Sequence, residues 1–241
     1  MFVPIHDQNT LKSIPFQYMT LLLIALNVAV FIVQSSGMPI QAVIDFGLVP
    51  AELLSAGYLG GAVPTEQSLI SVPEGYTLIS YMFFHGDVFH LLMNMMFLWV
   101  FGDNVEDAVG HFKFLVFYLL CGICAGLLHT YLVPWSDRPL VGASGAVAGV
   151  IAAYFILHPR VMIWVLVFRF IPVRISAAWA LGLWIIMQFV MVYLSHLGLH
   201  QGPIAWWAHI GGLIAGAVLI VIMRRPGVPL FDRGLATGSS S

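Results

Sequence analysis

Long apolar runs separated by short polar stretches recur along the whole chain. Six of them cover roughly residues 17–34, 87–102, 112–133, 142–158, 176–195 and 205–223. Each run approaches the ~20 residues with which a helix crosses about 30 Å of hydrocarbon. Because a backbone inside lipid must satisfy its own hydrogen bonds, such runs form helices. The pattern therefore predicts an all-α membrane protein, a bundle of six transmembrane helices.

The connections between these spans are short, with one exception. The stretch 35–86 is long enough to hold structure of its own, and its apolar patches predict short helices in the outer membrane interface. The apolar segment 161–171 is too short to cross a membrane, and we interpret it as part of the inner loop before span 5. We expect a single domain over 1–241, with its core at about 17–224 and a flexible tail at 225–241.

Composition agrees with a membrane location and excludes other classes. Hydrophobic residues make up 60% of the chain and charged residues only 8%, against about 25% charged residues in soluble domains. Nine Lys and Arg stand against eleven Asp and Glu, which excludes a nucleic-acid binder built on a basic patch. Cys121 and Cys124 lie in one apolar run and provide no disulfide framework.

The distribution of positive residues predicts the orientation. With the N-terminus in the cytoplasm, all Lys and Arg residues except Arg138 fall on the inner side. Such a bias follows the positive-inside rule and also places the C-terminus in the cytoplasm. Neither a signal-peptide cleavage site nor an Arg-rich transit peptide precedes the first span. We therefore expect a multi-pass protein of a bacterial inner membrane.

Four polar residues lie inside the predicted spans, where they are costly and mark candidate functional sites: His90, Asn94, Ser144 and His209. Counted from the inner ends of their spans, His90, Ser144 and His209 lie roughly 20–22 Å above the inner edge. In a ~30 Å core this is one level, about 8–10 Å below the outer face. Asn94 shares a helix face with His90 one turn deeper.

These residue types suit acyl transfer. A serine hydroxyl becomes a good nucleophile when a base takes its proton, and neutral histidine is the usual base. The side chains of His90 and Asn94 and the backbone N–H of Ser144 can donate hydrogen bonds to an oxyanion. No Asp or Glu lies in span 4 or span 6. We therefore infer a Ser144/His209 dyad without a third, acidic member.

Glycines surround both reacting residues. Gly145 and Gly149 follow the serine at a spacing of four, and Gly212 and Gly216 follow the histidine at the same spacing. Small residues at this spacing let two helices approach closely, so spans 4 and 6 can touch just beneath the dyad. Gly142 and Gly145, on either side of the serine, allow close approach of a substrate backbone.

Two other kinds of site are disfavoured. His85 and His90 are separated by about 140° around a helix, so they do not share a face for a metal, and no H-E-x-x-H motif is present. The G-x-S-x-G elbow of soluble hydrolases requires glycine where Ala146 stands. The pattern therefore disfavours a metal site.

At these residues the sequence resembles the rhomboid family of intramembrane serine proteases. The motifs that match are Gly142-Ala143-Ser144-Gly145, Ala208-His209-Ile210-Gly211-Gly212, His85-x4-His90-x3-Asn94 and the stretch 97–107. The resemblance covers about residues 76–224. Three motifs in the same order on spans 2, 4 and 6 make it specific.

The resemblance implies a role for each candidate. Ser144 is expected to be the nucleophile and His209 the general base, with His90 and Asn94 in the oxyanion hole. It further implies cleavage of single-pass membrane proteins near the outer end of their helix, with substrates entering laterally near span 5. Transmembrane protein substrates and the lipid bilayer are thus the expected partners, and no metal or cofactor is expected.

The resemblance also implies structural roles for His85 and Glu106. At two places the sequence departs from patterns common in the family. Tyr76-Thr77 stands where many members have a Trp-Arg pair, and Ala148 stands where some have an aromatic residue that stacks on the catalytic histidine.

A second interpretation keeps the rhomboid fold without the chemistry. Such a protein would bind client helices in the membrane and not cut them. Proteins of this kind typically lack the reacting pair, so the presence of both Ser144 and His209 favours the enzyme.

Overall fold

The computed structural model describes residues 3–57, 61, 69–70, 72–167, 170–199 and 204–232. The elements in chain order are β1 (Val3–Asp7), α1 (Tyr18–Ser35), α2 (Ile40–Phe46), α3 (Pro50–Ser55), α4 (Glu74–Ser80), a 3₁₀ turn (Tyr81–Phe83), α5 (Val88–Val109), α6 (His111–Leu132), α7 (Ser144–Leu157), β2 (Met162–Val167), β3 (Ile171–Ser176), α8 (Ala177–His196) and α9 (Trp206–Met223). The prediction of a helical membrane bundle is confirmed.

Five helices of the described part are long and apolar enough to cross a membrane: α1, α5, α6, α8 and α9. The remaining predicted span, span 4, is the shorter helix α7 of 14 residues. At ~1.5 Å per residue α7 is about 21 Å long, less than the ~30 Å hydrocarbon thickness. Because it begins at Ser144, the serine starts a helix that does not extend through the full width of the bundle.

Helix α7 lies at the centre of the bundle. It packs against α5, α6 and α9, and nearly all of its side chains are buried. Helices α1 and α8 lie at the periphery and expose apolar side chains, among them Ile32 on α1 and Trp179 and Ile186 on α8. Large apolar surfaces of this kind are stable where lipid, not water, surrounds them.

Helices α7 and α9 touch through their glycines. A Cβ atom added to Gly212 would overlap the carbonyl oxygen of Gly145, and one added to Gly216 would overlap that of Gly149. The two contacts are one helical turn apart on both helices, so α7 and α9 run parallel. The close approach predicted from the glycine spacing is present.

Helix α5 extends past the predicted end of span 2 into an acidic stretch. The carboxylate of Asp107 accepts hydrogen bonds of 2.6–3.1 Å from the backbone N–H groups of residues 12–14. Glu106 accepts from the backbone N–H groups of Met19 and Thr20 at 3.0 and 2.8 Å. Glu106 thus satisfies two of the first N–H groups of α1, which a helix leaves free, and Asp107 holds the segment before it. The N-terminal segment is thereby fixed to the end of α5.

The segment 161–171 lies in the connection between α7 and α8, as expected of a loop before span 5, and it contributes to two strands that the sequence analysis did not predict. Strands β2 and β3 form a hairpin, and β1 adds to β2, giving an antiparallel sheet in the order β1-β2-β3. Ile163 and Val165 on β2 are fully buried while their neighbours are less so. This period of two is typical of a strand packed on one face. Residues 168–169 lie outside the described part.

Two further predictions concern the chain outside the six spans. Short helices are present in the stretch 35–86, as expected, and residues 58–60, 62–68 and 71 of it are not described. In the predicted tail, the backbone N–H of Arg225 donates to Ala108 and that of Asp232 donates to Leu157. Residues 233–241 lie outside the described residues.

We predict that Gly212→Ala destabilises the bundle, because the new methyl group must push the carbonyl of Gly145 away. Overpacking of this kind costs roughly 1–3 kcal/mol. Thermal unfolding in detergent micelles, followed by circular dichroism, measures the change. Gly182→Ala on α8 is the matched control, since its Cβ would lie 3.6 Å from the Phe155 ring, an ordinary contact. Equal melting temperatures for the two variants would contradict the glycine contact.

Candidate active site

Three helices each contribute a candidate residue from their first turn. Ser144 is the first residue of α7, His90 lies in the first turn of α5, and His209 lies in the first turn of α9. Because α7 and α9 run parallel and His90 contacts the loop before Ser144, the three residues share one end of the bundle. The structure thus brings together the polar residues that the sequence places at one depth.

The loop that leads into Ser144 requires glycine at position 142. Gly142 has a φ of +121°, which L side chains rarely adopt. A Cβ there would lie 2.6 Å from Cε1 of His90, so the His90 ring rests directly on the glycine. The backbone N–H of Gly142 donates a 2.9 Å hydrogen bond to the carbonyl of Tyr81.

Tyr81 connects this loop to α6 and was not identified from the sequence. Its hydroxyl donates a 2.8 Å hydrogen bond to the carbonyl of Gly122, and its side chain is fully buried. A Cβ at Gly145 would lie 3.2 Å from the same hydroxyl. One tyrosine therefore supports the turn before Ser144 and packs against the residue after it.

His85 lies behind His90, whereas Glu106 lies far from both. The His85 side chain is fully buried, its ring meets that of His90 at 5.2 Å, and its Nε2 lies 3.5 Å from the backbone N of Ala143. Burial, reinforced by His90, lowers the pKa of His85 to about 4, so the ring is neutral near pH 7.

Glu106 lies roughly 24 Å along α5 from His90, where its contacts with α1 and His111 hold the other end of the bundle.

His90 and Asn94 are joined on one face of α5. The backbone N–H of His90 donates to the Asp87 carboxylate at 2.8 Å, which caps the helix. The Asn94 amide donates to the His90 carbonyl at 3.1 Å, and its second N–H is left for another acceptor. Asn94 therefore lies one turn from His90 on the same face of α5, as the i, i+4 spacing predicts.

His209 is enclosed by aromatic rings. It is 8% exposed, with the Trp184 ring of α8 stacked at 6.0 Å and the Trp206 ring edge-on at 5.8 Å. Its Nδ1 lies 2.8 Å from Oε1 of Gln188, also on α8. Ala148 provides no ring at this place, and Trp184 from another helix supplies the stacking contact.

Sequence reasoning missed Trp184 and Gln188. Gln188 carried a usable signal, because it is a strongly polar residue in the middle of the fifth apolar run. Trp184 carried none, since aromatic residues are common on lipid-facing helices. Which of them contacts His209 depends on the packing of α8 against α9, and a single sequence does not give that packing.

Ser144 is partly exposed, and its helix presents free donors. Among the described residues, no hydrogen bond joins its hydroxyl to His209; such bonds in hydrolases often tighten only when substrate binds. The first N–H groups of α7 have no partner within the helix and carry the positive end of its dipole. A serine, a histidine and hydrogen-bond donors thus lie at one end of the bundle, where the carboxylate of Asp87 is bound to the backbone N–H of His90. No group of three or more His, Cys, Asp or Glu able to hold a metal occurs among the described residues.

Comparisons with known proteins show the family of the chain. The family model of the Rhomboid domain matches residues 72–226, more than half of the chain. RHOMBOID-like protein 5 of Arabidopsis thaliana is 28% identical over 70% of this chain and 53% of its own length. Rhomboid protein 1, mitochondrial, of Saccharomyces cerevisiae is 32% identical over 61% of this chain and 41% of its own length. Rhomboid protease GluP of Bacillus subtilis is 30% identical over 70% of this chain and 30% of its own length. The matched part thus spans about half or less of these relatives.

We predict that Tyr81→Phe lowers the free energy of unfolding by about 0.5–1.5 kcal/mol, the usual net value of one hydrogen bond. The variant keeps the ring and removes only the hydroxyl that binds Gly122. Chemical or thermal unfolding in micelles provides the measurement. Tyr76→Phe is the control, because Tyr76 is 67% exposed and should leave stability unchanged. A Tyr81→Phe protein as stable as the control would show that the hydroxyl does not support the loop.

Proposed function

This chain belongs to the rhomboid family, and on that basis we propose that it is an intramembrane serine endopeptidase with a Ser144/His209 dyad. The observation that carries the proposal is the glycine contact between α7 and α9. It aligns the first turns of two parallel helices, one beginning with a serine and the other carrying a buried histidine. The family includes proteases, as the name of the Bacillus subtilis relative states.

The proposed reaction needs only neutral side chains. Ser144 Oγ attacks the carbonyl carbon of the scissile peptide while Nε2 of His209 takes the hydroxyl proton. The backbone N–H of Ser144 and the side chains of His90 and Asn94 donate to the oxyanion. His209 then returns the proton to the leaving amine, and an acyl ester remains on Ser144. A water molecule, deprotonated by His209, hydrolyses the ester and regenerates the serine.

Transmembrane helices of single-pass proteins are the proposed substrates. Ser144 lies near one end of the bundle and not at its middle, so the cut falls near the outer end of the substrate helix. A hydrogen-bonded helix shields its carbonyl carbons, so the substrate must unwind at the cut, and helix-weakening residues there favour cleavage. Entry beside α8 suits its peripheral position and exposed apolar side chains.

The proposed topology places both termini in the cytoplasm of a bacterial inner membrane. The positive-inside bias supports this orientation. Under it, the sheet and the Glu106 contacts with α1 lie on the cytoplasmic side, and Ser144 lies toward the outer side. We also propose that residues 1–241 act as a single membrane domain.

We predict that Ser144→Ala and His209→Ala each abolish cleavage of a generic single-pass substrate reconstituted with the protein in liposomes. Each change removes one member of the reacting pair, and the remaining member has no role alone. Gel analysis of the cleaved substrate measures the outcome. Ser195→Ala and His196→Ala, at the end of α8, are matched controls that should cleave normally.

Two outcomes would contradict the dyad. Cleavage by both Ser144→Ala and His209→Ala would show that other residues carry the reaction. A wild-type protein that binds the substrate helix but never cuts it would instead indicate a non-catalytic client-binding protein. Labelling of Ser144 by a serine-directed phosphonate, dependent on His209, distinguishes an inactive preparation from an inert site.

For His90→Ala and Asn94→Ala we predict partial losses, each about 10²–10³ in kcat. Removing one donor weakens the stabilisation of the oxyanion and leaves nucleophile and base in place. The effect should fall on kcat with little change in KM, because the donors act mainly in the transition state. Kinetics with a series of substrate concentrations in micelles separates the two. A change confined to KM would place these residues in substrate binding.

A further inference from the structure

Gln188 is a buried polar side chain whose position is not explained by packing. It lies in the middle of α8 and is 1% exposed. Its Oε1 lies 2.8 Å from Nδ1 of His209, and its Nε2 donates to the carbonyl of Trp184 at 2.9 Å. Both ends of the amide are therefore bonded, in a helix that otherwise carries apolar side chains through its middle.

The contact with Trp184 fixes which way the amide faces. The carbonyl of Trp184 can only accept, so the NH₂ group of Gln188 must point to it. The opposite orientation would bring two acceptor oxygens to the same short distance. Oε1 consequently points to His209, and it can form a hydrogen bond there only if Nδ1 carries the proton.

A fixed proton on Nδ1 determines the chemistry of the other ring nitrogen. In a neutral imidazole one nitrogen donates and the other accepts, and the hydrogen bond at one decides the state of the other. With Nδ1 protonated, Nε2 has a free lone pair and can take a proton from a hydroxyl. We propose that Gln188 is a positioning residue that holds His209 in the tautomer and ring orientation required of a base, an inference that rests on the proposed Ser144/His209 reaction.

The neutral amide suits the surroundings. Helices α7, α8 and α9 contain no Asp or Glu, and an isolated carboxylate at this depth would be costly in lipid. Among the described residues, the titratable side chains that act on His209 are His90 on α5 and His129 on α6, and neither is an acid. Gln188 thus orients the imidazole as the acid of a Ser-His-Asp triad does, but without a buried charge.

The first test reads the tautomer directly and does not depend on proteolysis. Protein with ¹⁵N-labelled histidine is studied by NMR in micelles, and the His209 signals are assigned by their absence in His209→Phe. In wild type we expect a proton on Nδ1 and an unprotonated Nε2. Met is similar in size to Gln but offers no acceptor to Nδ1, so in Gln188→Met we expect a smaller fraction of His209 to be protonated on Nδ1.

The second test measures kinetics with three variants. In Gln188→Met we expect kcat to fall about 10–100-fold, the loss found when a partner that orients a metal-ligating histidine is removed, with KM nearly unchanged. Gln188→Glu keeps the acceptor and should restore most of kcat. Its negative charge favours protonated His209, so the acidic limb of its pH–rate profile should move to higher pH. Met187→Leu, beside Gln188 and packed against the core, is the control and should match wild type.

The outcomes separate this inference from the proposed function. A proton on Nε2 in the wild-type protein would overturn the positioning role, whether or not substrate is cleaved. A Gln188→Met protein with the same His209 tautomer and the same kcat as wild type would overturn it as well. The expected tautomers without any cleavage by wild type would support the positioning of His209 and contradict the protease. If Gln188→Met fails to fold, the tautomer of His209 in the wild-type protein and the pH–rate profile of Gln188→Glu decide whether Gln188 positions His209.

Discussion

The rest of the site depends on the close backbone packing of α7 against α9. Helices packed through side chains stay about 8–10 Å apart, whereas α7 and α9 meet where Gly212 and Gly216 lie on the carbonyls of Gly145 and Gly149. Two such contacts one turn apart fix both the separation and the register. They place the first turn of α9, with His209, beside the start of α7. A side chain at Gly212 or Gly216 would overlap the facing carbonyl and push the two helices apart.

A second constraint is that polar groups surrounded by lipid need partners within the protein. Two hydrogen bonds, between His209 and Gln188 and between Gln188 and the Trp184 carbonyl, meet this need. The last acceptor is a helix carbonyl, so no charged group takes part. At the other end of the bundle the carboxylates of Glu106 and Asp107 accept backbone hydrogen bonds from the N-terminal segment. One end of the bundle therefore holds a buried histidine through a neutral amide, and the other end holds the first helix through carboxylates.

The sequence predicts the helices well where local pattern decides the outcome. Span 6 was predicted at 205–223 and α9 covers Trp206–Met223, because hydrophobicity alone marks a membrane helix. The depth of Ser144 and His209 follows from counting residues along rigid helices. The sheet was missed because β1 pairs with a strand far along the chain. Gln188 was missed as a partner of His209 because the rotation of α8 against α9 depends on packing.

The position of Ser144 at the very start of α7 places backbone donors beside its hydroxyl without a buried cation. An oxyanion in lipid needs donors, and a cationic donor would be as costly as a buried acid. Only the first turn of a helix offers backbone N–H groups that the helix itself leaves free. Gly142, with its positive φ and its hydrogen bond to Tyr81, ends the preceding loop so that α7 begins at the serine. A longer α7 would pair those N–H groups within the helix and remove the donors from beside the nucleophile.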